Sequence, residues 1–397
     1  MRLLFISLSF FIISSAPAQT WTKAENFPGI ERDDGASFTI GNISYCGSGI
    51  VPFYALGDFY AFNPSLETWA PISSMPQGKQ RQYACGFSSD SIGYIFGGIN
   101  DTAFIKDLWQ YNPKTDKWTE KTSLPSFPRG GAASFVIDSI AYIIGGKSSS
   151  SSALSEVWAY NLNQDSWDKK NDLPFGPRWR SASTSSDSLG YLAFGLDDTL
   201  RYSSEVFEYH QKTDSWKLIS VHPNGGRNYL KVELIADKLI TIGGIDSSLN
   251  FLSECWSYEL SKATWKELDS IPAAGRRAGM SFKNESSIYY TTGLLAGGKR
   301  TIETWKLEVV TSTMENGLNE LITIYPNPFR GHLTVKIPQN NKRSPKALLF
   351  NLKGVLIEKI DLNQSHNLLV LDHLESGVYL LQITIGKNTI TKKMIKQ

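Results

Sequence analysis

The stretch Asp107-Leu108-Trp109-Gln110-Tyr111-Asn112-Pro113-Lys114-Thr115-Asp116-Lys117-Trp118 reads as two apolar strands joined by a polar turn, with an indole in each strand. Its tryptophans belong to two series. Trp21, Trp69, Trp118, Trp167, Trp216 and Trp265 follow one another at intervals of 48, 49, 49, 49 and 49 residues, and Tyr60, Trp109, Trp158, Phe207, Trp256 and Trp305 run nine residues ahead at a constant 49. Ten of the eleven tryptophans are thereby tied to one period, and Trp179 alone falls outside it. A bulky indole returning once per unit at fixed phase fills the same gap between stacked units each time.

Within a unit, four short strands are expected. In the second they are Tyr83 to Ser89, Gly93 to Gly97, Asp107 to Asn112 and Lys117 to Lys121. A glycine pair closes the second strand at Gly97-Gly98, Gly145-Gly146 and Gly243-Gly244, with degenerate forms at Gly47-Ser48, Phe194-Gly195 and Thr292-Gly293. Four antiparallel strands, a glycine pair and a late tryptophan in about fifty residues resemble the kelch repeat, over roughly residues 20–310. The sixth unit has Arg276, Gly293 and Trp305, but Met314 stands where its outer-strand tryptophan should be. Trp21 has no inner strands of its own. The N-terminal segment is therefore expected to supply that missing strand and close the ring without open edges. The fold expected is all-β: a six-bladed kelch propeller closed by its N-terminal strand, followed by a small Ig-like β-sandwich.

The ends of the chain carry addresses. Met1-Arg2, the apolar run Leu3 to Ile13 and Ser14-Ser15-Ala16-Pro17-Ala18 form a secretory signal peptide over residues 1–18, with cleavage expected after Ala18. That run is too short for a membrane span, and no later segment approaches the necessary length. Lys and Arg number 28 against 34 Asp and Glu over residues 19–320, and 11 against 4 over 321–397. A uniformly basic, nucleic-acid-binding surface is therefore not indicated. The basic tail resembles the C-terminal sorting domain of the type IX secretion system on the residues Tyr325-Pro326-Asn327-Pro328, Leu352-Lys353-Gly354, Leu374-Glu375-Ser376-Gly377-Val378-Tyr379 and the terminal Thr391 to Lys396. The resemblance implies passage through the outer membrane to the surface or the medium, with the type IX machinery as partner. The domains expected are thus 1–18 signal peptide, 19–310 propeller, 311–320 linker and 321–397 sorting domain. The cysteines Cys46, Cys85 and Cys255 take positions held in other repeats by Ala, Ile, Val or Leu, and read as core residues without a disulfide.

Two charged series, one member each per blade, are expected on the rim formed by the connection entering strand one and the loop between strands two and three. They are Arg32, Arg81, Arg129, Arg178, Arg227 and Arg276, and Asp58, Asp107, Glu156, Glu205, Glu254 and Glu303. The arginines either ring the funnel to grip an anion, as in kelch propellers that bind acidic peptides, or pair with the acids and pin blade to blade. Equal numbers at equal period favour the structural ring. Departures from the repeat mark the ligand site instead: Trp179, Arg180, Arg277, Tyr229 and Tyr83, with Trp179 and Arg180 expected to serve binding more than stability. Longer rim loops add Phe53-Tyr54, Asp197-Asp198, Arg201-Tyr202 and Lys299-Arg300.

Only His210 and His222 lie in the propeller, so neither a metal centre nor a nucleophile–His–acid triad is expected, and no cofactor. The function expected is an extracellular or cell-surface binding module for a glycan or protein partner. The alternative is a kelch-type mutarotase acting on sialic acid, for which an Arg and a carboxylate would suffice.

Overall fold

In the computed structural model, which describes residues 20–89, 91–101, 103–309, 322–337, 346–351, 356–385 and 388–397, every element among the described residues is a strand except the short 3-10 turns Gln211–Thr213 and Ala296–Gly298. The chain divides into two compact units, Met1–Val309 and Val310–Gln397. The expected signal peptide, the linker 311–320, Met314 and Gly354 lie outside the described residues.

The first unit holds six four-stranded antiparallel sheets. Blade one is Ala36–Ile40, Ile43–Gly47, Phe59–Asn63 and Thr68–Ile72; blade two begins at Cys85–Ser88, blade three at Ala133–Ile137, blade four at Ala182–Ser185 and blade five at Lys231–Ile235. Blade six takes Met280–Lys283, Ser287–Thr291 and Thr304–Glu308 from the end of the unit and Trp21–Ala24 from its start. The closing strand runs antiparallel to the last, with Trp21 opposite Leu307 and Ala24 opposite Thr304. The six inner strands neighbour one another in order, and the first also neighbours the sixth.

The tryptophan phase has a hydrogen-bonding cause. The indole N–H of Trp69 donates to the Glu25 carbonyl at 3.0 Å, Trp118 to Ser73 at 2.8 Å and Trp167 to Thr122 at 2.8 Å, each partner lying at the outer strand of the preceding blade. Trp21 donates in the same way to the Asp269 carbonyl of blade five, at 2.7 Å. It does for blade six what a tryptophan nine residues past Trp305 would do. Near the axis, serine hydroxyls bind neighbouring inner strands: Ser183 Oγ donates to the Ser134 carbonyl at 2.8 Å, Ser185 to Val136 at 2.7 Å and, across the closure, Ser37 to Ser281 at 2.7 Å.

The glycine pair needs one correction. Its counterpart in blade one is Ser48-Gly49, not Gly47-Ser48, because only the second residue of each pair must be glycine. Gly49, Gly98, Gly146, Gly195, Gly244 and Gly293 all have φ between 92° and 111°, and a Cβ on Gly98 would stand 2.5 Å from the Gln82 carbonyl oxygen. The first position, with φ of 52° to 63°, accepts Ser48, Phe194 and Thr292. Cys46, Cys85 and Cys255 are buried free thiols.

The second unit has seven described strands in two sheets, Thr323–Tyr325, His332–Lys336 and His366–Val370 in one, and Leu356–Asp361, Lys346–Asn351, Gly377–Ile385 and Asn388–Lys396 in the other. Both sheets contribute to one core, which includes Leu333, Val335, Leu349, Leu381 and Met394. Asn327 staples the terminal strand to the entry of the domain: its amide donates to the Lys393 carbonyl at 2.8 Å and its oxygen accepts from the Ile395 N–H at 2.9 Å. Tyr379 donates from its phenol to the Glu375 carbonyl at 2.8 Å. Among the described residues no helix is long and apolar enough to cross a membrane.

Removing Thr20 to Pro28 takes away the closing strand, the Trp21 bond and Phe27, which is wholly buried against Tyr60 and Trp69. The truncated protein is expected to lose the cooperative melting transition of the propeller in calorimetry; a propeller melt matching the parent would refute this closure.

Candidate site at the mouth of the propeller axis

The two charged series meet pair by pair. Arg32 lies 2.6 Å from Asp58, Arg81 2.7 Å from Asp107, Arg178 2.9 Å from Glu205, Arg227 3.3 Å from Glu254 and Arg276 2.8 Å from Glu303, and Arg129 bonds Glu156. All six guanidiniums are buried, so none lies open to a ligand. The expectation of pairs across blades is corrected: each acid heads the third strand of its own arginine's blade. Indole N–H groups of Trp109, Trp158, Trp256 and Trp305 hold four of these carboxylates. Burial alone would raise the Glu156 carboxyl, but Arg129, with Ser126 and Trp158, holds it below the usual range. The connection between blades runs through the arginine backbone. The carbonyls of Arg81, Arg129, Arg178, Arg227 and Arg276 accept from the second glycine of the preceding pair, and Arg32 closes the series through Gly293, all at 2.8–3.0 Å.

Two residues after each of these arginines the chain turns down into the inner strand, and the turning residue has φ of 55° to 63°: Asp34, Tyr83, Gly131, Arg180, Tyr229 and Ala278. Their backbones join around the axis. Tyr83 N–H donates to the Asp34 carbonyl at 3.1 Å, Gly131 to Tyr83 and Arg180 to Gly131 at 2.8 Å, and Ala278 to Tyr229 and Asp34 to Ala278 at 2.9 Å. The left-handed conformation belongs to the architecture and favours glycine. Blades three and six place Gly131 and Ala278 there, whereas the other four keep a large polar side chain.

Those side chains meet over the axis. Blades two and five face each other across a ring of six, and the phenol oxygens of Tyr83 and Tyr229 stand 2.9 Å apart. The Arg180 guanidinium donates to the Tyr83 phenol oxygen at 2.9 Å and lies 3.9 Å from the Tyr229 ring centre and 3.7 Å from that of Trp179. Arg277, beside the turning position, places its guanidinium 4.2 Å from the Tyr229 ring. Neither Arg180 nor Arg277 forms an ion pair among the described residues. A cleft of about 90 Å³ lies among Asp34, Tyr83, Arg180, Tyr229 and Lys231.

The five singled-out residues are thus neighbours, but Trp179 differs from expectation. It is only 8% exposed, packed with Ala153 and Leu196 under Lys147 and Arg180, so it supports the arginine and contributes to stability as a core residue. Phe53 is 93% exposed and Tyr54 is also exposed, while Asp197 folds back on its own loop, accepting from the N–H groups of Thr199 and Arg201. Arg300 pairs with buried Asp33 at 2.5 Å. His222 is packed among Phe194, Trp256 and Trp265, and burial with the Arg227 charge pushes its ring down to about 3. Among the described residues no group of three His, Cys, Asp or Glu could hold a metal.

Asp34 and Lys231 were missed by sequence reading. Asp34 was visible as the blade-one counterpart of Tyr83, Arg180 and Tyr229. Burial, then the neighbouring Asp33 carboxylate, pushes the Asp34 carboxyl up to about 7 against the pull of Arg180 and Arg277. Folded protein therefore holds a proton that the unfolded chain releases at 3.8, and this contribution to stability is present at low pH and lost as pH rises to about 7. Asp34→Asn should accordingly gain stability over the parent progressively between about pH 4 and pH 8 in urea unfolding, whereas a constant difference across that range would contradict the assignment.

The family described as the KLHDC2/KLHL20/DRC7 Kelch-repeats domain matches residues 17–195 and 131–341, and the Secretion system C-terminal sorting domain matches residues 323–397. No curated protein matches the chain. Among solved structures, one described as "Structure of YjhT" superposes with a TM-score of 0.63 at 18% identity, covering 73% of this chain and 97% of that one. At that identity the likeness speaks for the fold alone. The chain belongs to the kelch-repeat family and ends in a type IX secretion C-terminal sorting domain.

Proposed function

We propose that this exported propeller is a binding module at the cell surface or in the medium, delivered by its sorting domain after signal-peptide cleavage behind Ala18. Its mouth receives an anionic group of a glycan or protein partner between Arg180 and Arg277. The observation that carries the reading is the pairing pattern of the cations. Six rim arginines are neutralised by six acids, yet two more guanidiniums converge on the Tyr229 ring without an ion pair among the described residues. Arginine held flat on an aromatic face keeps in-plane N–H groups for a carboxylate or sulfate, and the phenols of Tyr83 and Tyr229 add polar contacts. The exposed Phe53, Tyr54, Leu200 and Leu249 on the same rim's loops supply apolar contact area for a larger partner.

The raised carboxyl of Asp34 favours a second reading, a sugar mutarotase. A carboxyl that titrates near neutral pH beside two phenols and a guanidinium can exchange a proton with a sugar hydroxyl in ring opening. Faster anomer relaxation of sialic acid on adding protein, abolished in Asp34→Asn, would select it.

A glycan and peptide array probed with the mature protein should return anionic ligands. Arg277→Ala, whose side chain joins none of the ring pairs, should weaken the best of them ~5-fold or more at unchanged melting temperature. Neutral hits only, or equal binding by Arg277→Ala, would overturn the binding reading.

A further inference from the structure

Below the mouth, the propeller axis is a channel of about 710 Å³ that runs from Ala84 and Ser181, just under the plug, to the turns at Gly41 and Asn284 on the opposite face. The Tyr83–Tyr229 contact and the Arg180 side chain lie across the mouth end of the channel. Its volume is that of an ordinary small-molecule site.

The wall chemistry is one-sided. The hydroxyls of Ser37, Ser88, Ser134, Ser183 and Ser185 each direct their single proton to a carbonyl of the neighbouring inner strand. Ser183 Oγ already accepts from the Ser134 N–H at 3.0 Å, and the oxygens of the other four accept from no described residue, so the wall suits a ligand that donates, such as a polyol. At the end under the mouth stands Lys231, which borders both the channel and the small cleft under Asp34 and Arg180. Its ammonium has three donors and no hydrogen bond or ion pair among the described residues. Lys283, the other lysine of the wall, is bonded to the Leu234 carbonyl, and Glu233 is held by Ser281 at 2.6 Å. Burial lowers the Lys231 amine below its ordinary range, and Glu233 and Asp34 only partly offset that. A partly buried ammonium that faces the channel without a partner gains from an entering anion.

We infer that the channel is a second binding site, separate from the rim, for a small polyhydroxy carboxylate that enters from the face of the Gly41 and Asn284 turns and places its carboxylate on Lys231. The hydroxyls of the ligand donate to the serine wall, and its charge replaces the partner that Lys231 lacks. The Arg180–Arg277 mouth takes no part.

D-Glucuronate is a suitable probe, with D-glucose as its neutral counterpart, in calorimetric titration of the mature protein near pH 6. Glucuronate should bind at one site and glucose should not. Lys231→Met and Lys231→Gln should each weaken glucuronate ~10-fold or more, whereas Arg277→Ala should change it less than ~2-fold. Two variants are used so that misfolding of one, seen as a lost melting transition, leaves the other to decide. Absence of glucuronate binding to the parent, equal binding of glucose, or loss in Arg277→Ala without loss in the Lys231 variants would overturn the channel site.

Discussion

A buried guanidinium with its carboxylate is the constraint on which this propeller rests. Desolvating an arginine is costly, and the cost is offset as its donors find partners; among the six only Arg227 Nε and Arg276 Nη1 are buried without one among the described residues. Each arginine here meets a carboxylate of its own blade, and Arg32, Arg81 and Arg129 also donate to the carbonyl ending their second strand, at 3.1–3.2 Å. That fixes the arginine backbone, whose carbonyl then meets the second glycine of the preceding blade. A Cβ at that glycine would collide with the incoming turn, so the clamp and the glycine require each other. The tryptophans of the third strand are part of the same device, since their indoles hold the acids.

Because the clamp fixes the turn into every inner strand, it also fixes where the next side chains point. Four of the six turning residues use that position for Asp34, Tyr83, Arg180 and Tyr229, and the outcome is a plug across the axis. The symmetric part of the repeat therefore builds the frame and the channel along its axis, and its asymmetric part builds the mouth above that channel. Non-glycine residues held at positive φ store local strain of ~1 kcal/mol or more each, which the surrounding backbone bonds must overcome.

Much of this was legible because repeats make a sequence its own comparison. The indole phase located the blades, the displaced Trp21 revealed the closure, and equal periods of arginine and acid indicated a neutralised ring. What stayed hidden depends on distances that no period encodes. That arginine and acid share a blade, while the backbone joins two, follows from hydrogen bonds between segments 26 residues apart or in different blades. Trp179 looked like a surface departure because it breaks the tryptophan phase, yet its indole fills a gap beside Leu196. Asp34 is an ordinary-looking residue in an Asp-Asp pair, and only its position over the axis, among two arginines and two phenols, changes its acidity. Lys231 sits in a strand that reads like its neighbours, and the channel it faces exists only once six inner strands are assembled.

The most direct test of the account is a double-mutant cycle on one clamp, Arg129→Ala with Glu156→Ala, followed by denaturant unfolding. Removing Arg129 alone should cost ~2–5 kcal/mol, because it leaves the Glu156 carboxylate without its partner inside the protein. Adding Glu156→Ala should then cost much less than it does in the parent, giving a coupling of ~1–3 kcal/mol. An Arg129→Ala protein that unfolds like the parent, or two losses that simply add, would show that the blades are held by something other than these buried pairs.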